Sequence, residues 1–305
     1  MSFSITLPKS SSDKIKWGNL PGSATSLLIA QAALQHANST VLITPTMTLA
    51  DKLSHEIGIM QAGRDDALEV IHFADWETLP YDNFSPHQDI ISDRMRCLYQ
   101  LAQGQKSIVV VAAPTLMQRL PPTDYLIAHS LVLKTGDTLT RDKFAQRLSQ
   151  SGYSSVDTVF QHGEFALRGA LIDVYPMGSS NAYRIELFDD EVDSLREFDT
   201  ETQRTIQQVE SIELLPGKEC PTDQQAIGCF KENWYAHFDV DAKACPVFQD
   251  VSSGLSPAGI EYYLPLFFDK TANFFDYLPE ESLLLVCEGV NQAVEDYYRD
   301  ITPTL

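Results

Sequence analysis

The chain has 305 residues, 44% of them hydrophobic and 10% aromatic, and a formal net charge of −20. Such a length and composition give room for two or three domains with a substantial core and exclude a disordered polymer. No apolar run approaches the roughly 20 residues of a membrane span, and residues 1–8 lack the basic and apolar regions of a signal peptide, so a cytoplasmic protein without membrane contact is expected.

Five cysteines, at positions 97, 220, 229, 245 and 287, form no CxxC pair, which fits reduced thiols and predicts neither disulfide nor metal site. The charge is uneven. Residues 1–120 carry 9 basic and 11 acidic side chains, residues 121–212 carry 8 and 15, and residues 213–305 carry 5 and 16. A surface this acidic repels the phosphates on which duplex binding depends, so a direct DNA clamp is not expected.

In chain order, residues 22–36 read as a helix, 41–44 as a buried strand, 47–57 as an amphipathic helix and 70–73 as a strand. The stretch 76–94, WETLPYDNFSPHQDIISDR, follows. Pro80 and Pro86 fix φ and remove backbone donors, so its first part is a shaped loop. Ser85 reads as the cap of a helix with Pro86 at its first position, continuing over 87–103. The apolar run 107–113 is typical of a parallel strand covered on both faces. A short helix over 115–119 stops at Pro121 and Pro122. This βαβα order predicts a doubly wound parallel sheet.

Beyond the prolines the pattern becomes α+β. Strands are expected at 131–133 and 156–160, with a helix over 141–150 between them. Residues 163–176 form one arm of a meander; 182–188 alternate with period two, and a tight turn at Asp189 and Asp190 leads into 192–198. Residues 209–214 are expected to close that sheet. From Cys220 on, 223–235 reads as helix, 264–268 as a short apolar segment, 283–286 as a parallel-type strand and 290–300 as an acidic helix.

Four blocks, 74–94, 162–199, 258–268 and 274–286, resemble the first two domains of the excision-repair protein UvrB and, more closely, their counterpart in the transcription-repair coupling factors. The resemblance implies a helicase-like, P-loop-type α/β domain built from residues 1–120 and 213–305, interrupted by a UvrB domain-2-like α+β insertion at 121–212. At the position of the phosphate loop the sequence reads Asn19 to Ser26. A working loop needs Gly at its first and sixth positions and then Lys; here these are Asn19, Ala24 and Thr25, and only Ser26, the magnesium-side hydroxyl, survives. The Asp-Glu pair of the second nucleotide motif is Cys287 and Glu288, a neutral thiol replacing the magnesium-holding carboxylate. The nucleotide site is therefore read as degenerate, with no catalytic residue and no cofactor. UvrB's long hairpin has no room either, since about a dozen residues separate Arg94 from Ser107.

The second block carries the expected function. Gly163, Phe165, Arg168, Gly169, Asp173 and Pro176 precede Arg184, Phe188, Asp189, Asp190 and Glu191, as in both families. The resemblance implies that this domain docks the damage-recognition ATPase UvrA, with Arg168, Arg184 and Phe188 as docking residues. The chain would then be the N-terminal adaptor module that recruits UvrA for nucleotide excision repair at stalled RNA polymerase. Polymerase and DNA would be engaged only through regions outside this chain. The residues alone leave another reading open, in which both arginines pair internally with Asp189 or Glu186 and Phe188 is core. Two other functions are also open. One is a helicase-like ATPase using Lys14 or Lys16 for the phosphates; the other is a structural lock that packs on the remainder of the same polypeptide and holds a translocase off.

Overall fold

The structure, a computed structural model, describes residues 5–10, 12–18, 20–78 and 83–301. Asn19, Pro80 and Tyr81 lie outside the described residues. In chain order the elements are α1 (Ala24–Gln35), β1 (Thr40–Thr44), α2 (Met47–Gln61), β2 (Val70–Phe73), α3 (Gln88–Ala102), β3 (Ile108–Ala112) and α4 (Ala113–Leu116). There follow α5 (Thr123–His129), β4 (Leu131–Lys134), α6 (Arg141–Gln150), β5 (Ser154–Ser155), β6 (Glu164–Arg168), β7 (Leu171–Val174) and β8 (Ala182–Phe188). The chain continues through β9 (Glu191–Phe198), β10 (Thr205–Val209), β11 (Ser211–Leu214), α7 (Gln224–His237), α8 (Pro246–Ser252), β12 (Leu283–Val286) and α9 (Val290–Ile301). Two compact units divide these elements: residues 1–75, 97–118 and 273–305 form one, and residues 76–96 and 119–272 the other.

The first unit is built on a parallel sheet of order β12-β1-β3-β2. β1 and β3 are buried at every position, as continuous apolar runs between two covering layers must be. On one face, Ile29, Ala30 and Ala33 of α1 and Ala50, Leu53 and Ile57 of α2 form a cluster with Leu42, Ile108 and Val110. The small side chains of α1 let it lie close, and the Thr46 hydroxyl caps α2 by accepting the Leu49 amide. The short helix expected over 115–119 starts two residues earlier, directly from β3, with Pro114 in its first turn, where a missing N–H costs nothing.

The second unit holds a six-stranded sheet of order β10-β9-β8-β7-β6-β5, antiparallel except for the β5–β6 pair. Ile172, Ile185 and Leu195, opposite one another in register, are fully buried on its core face. Asp189 takes a positive φ of 53° in the two-residue turn between β8 and β9, a conformation Asp tolerates better than most residues. In the same unit, α7 packs on a 3-10 helix (Ile260–Phe267) through Ile227, Phe230, Trp234, Leu264 and Phe267. No described helix is long and apolar enough to cross a membrane.

Three local expectations are corrected. Residues 156–160 are not a strand: the Glu164 carboxylate takes the amides of Phe160 and Gln161, and Arg168 takes the Asp157 carbonyl, so the ladder is diverted after Val156. Residues 209–214 do not close one sheet. β10 is the edge partner of β9, whereas β11 pairs with β4 in a separate ribbon, and the chain switches sheets at Glu210. Ser85 does not cap α3. Its hydroxyl donates to Glu261 and accepts the Gly259 amide, while the His87 carbonyl receives the amides of Ile90 and Ile91.

A candidate docking face and the phosphate-loop position

Period-two geometry gives the six-stranded sheet a second face, opposite the buried one. Ala166, Asp173, Arg184 and Arg196 lie in one cross-strand row on it, and Arg168, Leu171, Glu186 and Ser194 in the next. A bulge falls in this region: Glu186 pairs with Ser194 but Leu187 pairs with Val192, so Asp193 is the extra residue and the irregularity belongs to β9. β8 itself is uninterrupted. Arg184, Glu186 and Phe188 therefore share the polar face, as their spacing predicts.

One end of this face is closed. Val159, fully buried, packs with Ala166, Ala182 and Phe198, and Gln203 donates to its carbonyl. The open remainder carries Arg168, Glu186, Arg196 and Phe188. Phe188 is 73% exposed, so it is not core. Strands two apart are separated by about 9.6 Å and residues two apart by about 6.8 Å, which sets Arg168 and Phe188 about 12 Å apart at their Cα atoms.

The two arginines differ. Arg184 makes a fork onto Asp173, Nε to Oδ1 at 2.7 Å and Nη2 to Oδ2 at 2.9 Å, and its guanidinium lies 4.8 Å from the centre of the Phe198 ring. Asp173 is only 1% exposed, and its carboxylate pushes the Arg184 guanidinium further above its ordinary range. Arg168, on β6 across β7, is exposed; its Nη2 donates to the Asp157 carbonyl and the Thr158 hydroxyl at 2.9 Å each, and its Nη1 lies 4.0 Å from Asp173. The internal partner is thus Asp173 rather than Asp189 or Glu186. Glu186 instead receives Arg196 at 2.7 Å and the Ser194 hydroxyl at 3.1 Å. Asp173 stood in the motif beside Arg168, but only the β7–β8 register shows that it faces Arg184.

In the same unit, the stretch 76–94 is held at both ends. Arg94 and Glu219 form a fully buried ion pair at 2.7 Å, and the Arg94 guanidinium lies 4.9 Å from the Trp76 ring centre. Trp76, 3% exposed, meets Tyr262 edge-on at 5.1 Å between centroids, and Thr78 bonds to the Tyr262 hydroxyl at 2.8 Å. With Ser85 tied to Gly259 and Glu261, the loop is clamped on a single stretch of chain, 259–262. Phe84 between the clamps is 71% exposed.

In the first unit, the residues aligned with a phosphate loop open α1. Ala24 and Thr25 are half-buried in its first turn, and Gly22 has a φ of 57°. Ser26 is fully buried and its hydroxyl donates to Glu56 of α2. The side chain at the magnesium-side position thus serves helix packing. Cys287 follows β12, its amide bonds to the Ile43 carbonyl at 2.9 Å, and its thiol packs against the α1/α2 cluster, where burial pushes it above the usual thiol range. Glu288 is exposed. Among the described residues at the two motif positions, Thr25 stands where the pattern has Lys and Cys287 where it has a hard carboxylate oxygen for magnesium.

Known proteins resemble this chain over the same segment and beyond it. The family described as "UvrB interaction domain" matches residues 131–220, which include β6 to β9. A transcription-repair-coupling factor of Escherichia coli is 45% identical over 299 residues, 98% of this chain and 26% of the relative. That of Haemophilus influenzae is 41% identical over the same shares, and that of Bacillus subtilis is 28% identical over 88% of this chain and 24% of its own length. The chain spans about a quarter of the length of these relatives. It belongs to the transcription-repair-coupling-factor family, as a UvrB-like module.

Proposed function

We propose that the chain is a non-catalytic adaptor that docks UvrA through the open face of the six-stranded sheet, and so recruits it for nucleotide excision repair at stalled RNA polymerase. The observation that carries this reading is the pairing of an exposed aromatic, Phe188, with an exposed arginine, Arg168, on a polar sheet face within the matched segment. Arg and aromatic residues dominate interface hot spots, and a guanidinium fork suits a partner's carboxylate. Polymerase and DNA are engaged by other parts of the longer protein.

In this reading residues 121–212 are the docking domain, and residues 1–120 and 213–305 form a helicase-like domain that has lost its motor. Thr25 at the lysine position, Ser26 turned onto Glu56, and the apolar setting of Cys287 support the loss. The module works in the cytoplasm.

A competition experiment tests the adaptor reading. The immobilised chain should capture UvrA, and excess UvrB should displace it, because both would present the same kind of face. Failure to capture UvrA, or capture indifferent to UvrB, would contradict it.

A further inference from the structure

The polar face contains a buried carboxylate with no role of its own in the docking reading. Asp173 sits on β7 between the two arginine-bearing strands, 1% exposed, taking the Arg184 fork and lying 4.0 Å from Arg168 Nη1. The other edge of Arg168 is held by the Asp157 carbonyl and the Thr158 hydroxyl, both in the segment that leaves β5 and covers one end of the face. Arg168 is therefore gripped on two sides although its side chain is 41% exposed. An exposed arginine normally samples many rotamers, and ordering it on binding costs conformational entropy.

Resting on the docking reading, we infer that Asp173 and Thr158 are positioning residues: they pre-aim the Arg168 guanidinium at a carboxylate of the partner. Two constraints make this specific. The carboxylate of Asp173 is already matched by Arg184, so it attracts Arg168 without capturing it. Thr158 and the Asp157 carbonyl both accept from Nη2, and Nη1 is the atom near Asp173, so neither bond from this segment takes the Nε hydrogen. Pre-organisation of this kind raises affinity without adding a contact. Neither Asp173 nor Thr158 needs to touch the partner.

Double-mutant cycles on the 305-residue chain, read as affinity for UvrA, separate positioning from a general structural effect. Thr158→Val removes one acceptor and leaves the Arg184–Asp173 fork untouched; Asp173→Asn keeps the shape and removes the charge. Each should weaken UvrA binding roughly three- to tenfold in the wild-type background and less than about twofold in Arg168→Ala, because the residue through which they act is gone. Thr158→Val keeps the test decisive if Asp173→Asn unfolds. Equal losses in both backgrounds, or no loss with Thr158→Val, would overturn the positioning role while Arg168→Ala still weakens binding. If Arg168→Ala itself binds normally, the docking role of Arg168 falls and the positioning role falls with it.

Discussion

Replacing Arg184 by alanine tests whether this arginine holds the sheet together. The substitution strands Asp173, which is 1% exposed and loses both bonds of the fork at 2.7 and 2.9 Å. Removing one partner of a buried ion pair typically costs about 3–5 kcal/mol, because the remaining charge has no solvent to turn to. The Arg184 side chain is 17% exposed, so water can reach the vacated position and the lower end applies, about 3 kcal/mol. Loss of the cation over the Phe198 ring adds to it. For a unit of this size about 3 kcal/mol corresponds to a fall in Tm of roughly 6–12 °C. Circular dichroism melts or urea titrations of Arg184→Ala, with Arg168→Ala as the exposed control, measure this directly. Arg168→Ala should stay within about 1 kcal/mol of wild type, as surface pairs do. An Arg184→Ala chain that melts with the wild type would refute the structural assignment.

Other expectations follow from the same contacts. Millimolar Mg-ATP should leave the melting temperature unchanged; a ligand at 100 times its dissociation constant would stabilise by about 2.7 kcal/mol, so a magnesium-dependent rise would revive the motor. Duplex DNA should not be bound measurably at physiological salt by a chain of net charge −20, and salt-sensitive micromolar binding in a gel shift would contradict that. Arg94→Ala, which takes the arginine from the fully buried Glu219 carboxyl, should destabilise the chain by about 3–5 kcal/mol in urea titrations, and a neutral result would show that this pair does not hold the stretch 76–94.

Much of the fold was legible because burial leaves a periodic trace. The continuous apolar runs of β1 and β3 marked a parallel sheet covered on both faces, and the alternation of 182–188 marked a strand with one polar face. The helix over 141–150 coincides with α6. What escaped was decided by single side-chain contacts between distant residues. Nothing local announces that the Glu164 carboxylate will cap the turn at 160–161, that Ser85 will bond to Gly259 rather than cap its own helix, or that the chain will change sheets at Glu210. The candidate docking face was half legible. Spacing put Arg184, Glu186 and Phe188 together, but cross-strand register was needed to show Asp173 between the arginines. Nor could spacing show that Arg184 is committed to that carboxylate while Arg168, more exposed, bonds to the Asp157 carbonyl.

The central claim is that an exposed arginine and an exposed phenylalanine on this sheet face hold UvrA. It is tested most directly by titrating UvrA against the wild-type chain, Arg168→Ala and Phe188→Ala, with a melting curve for each. Truncating a hot-spot anchor typically costs about 2 kcal/mol or more of binding, so each variant should bind roughly tenfold or more weakly while keeping the wild-type Tm. Wild-type affinity in both variants, with normal melting, would show that UvrA is held elsewhere or not at all.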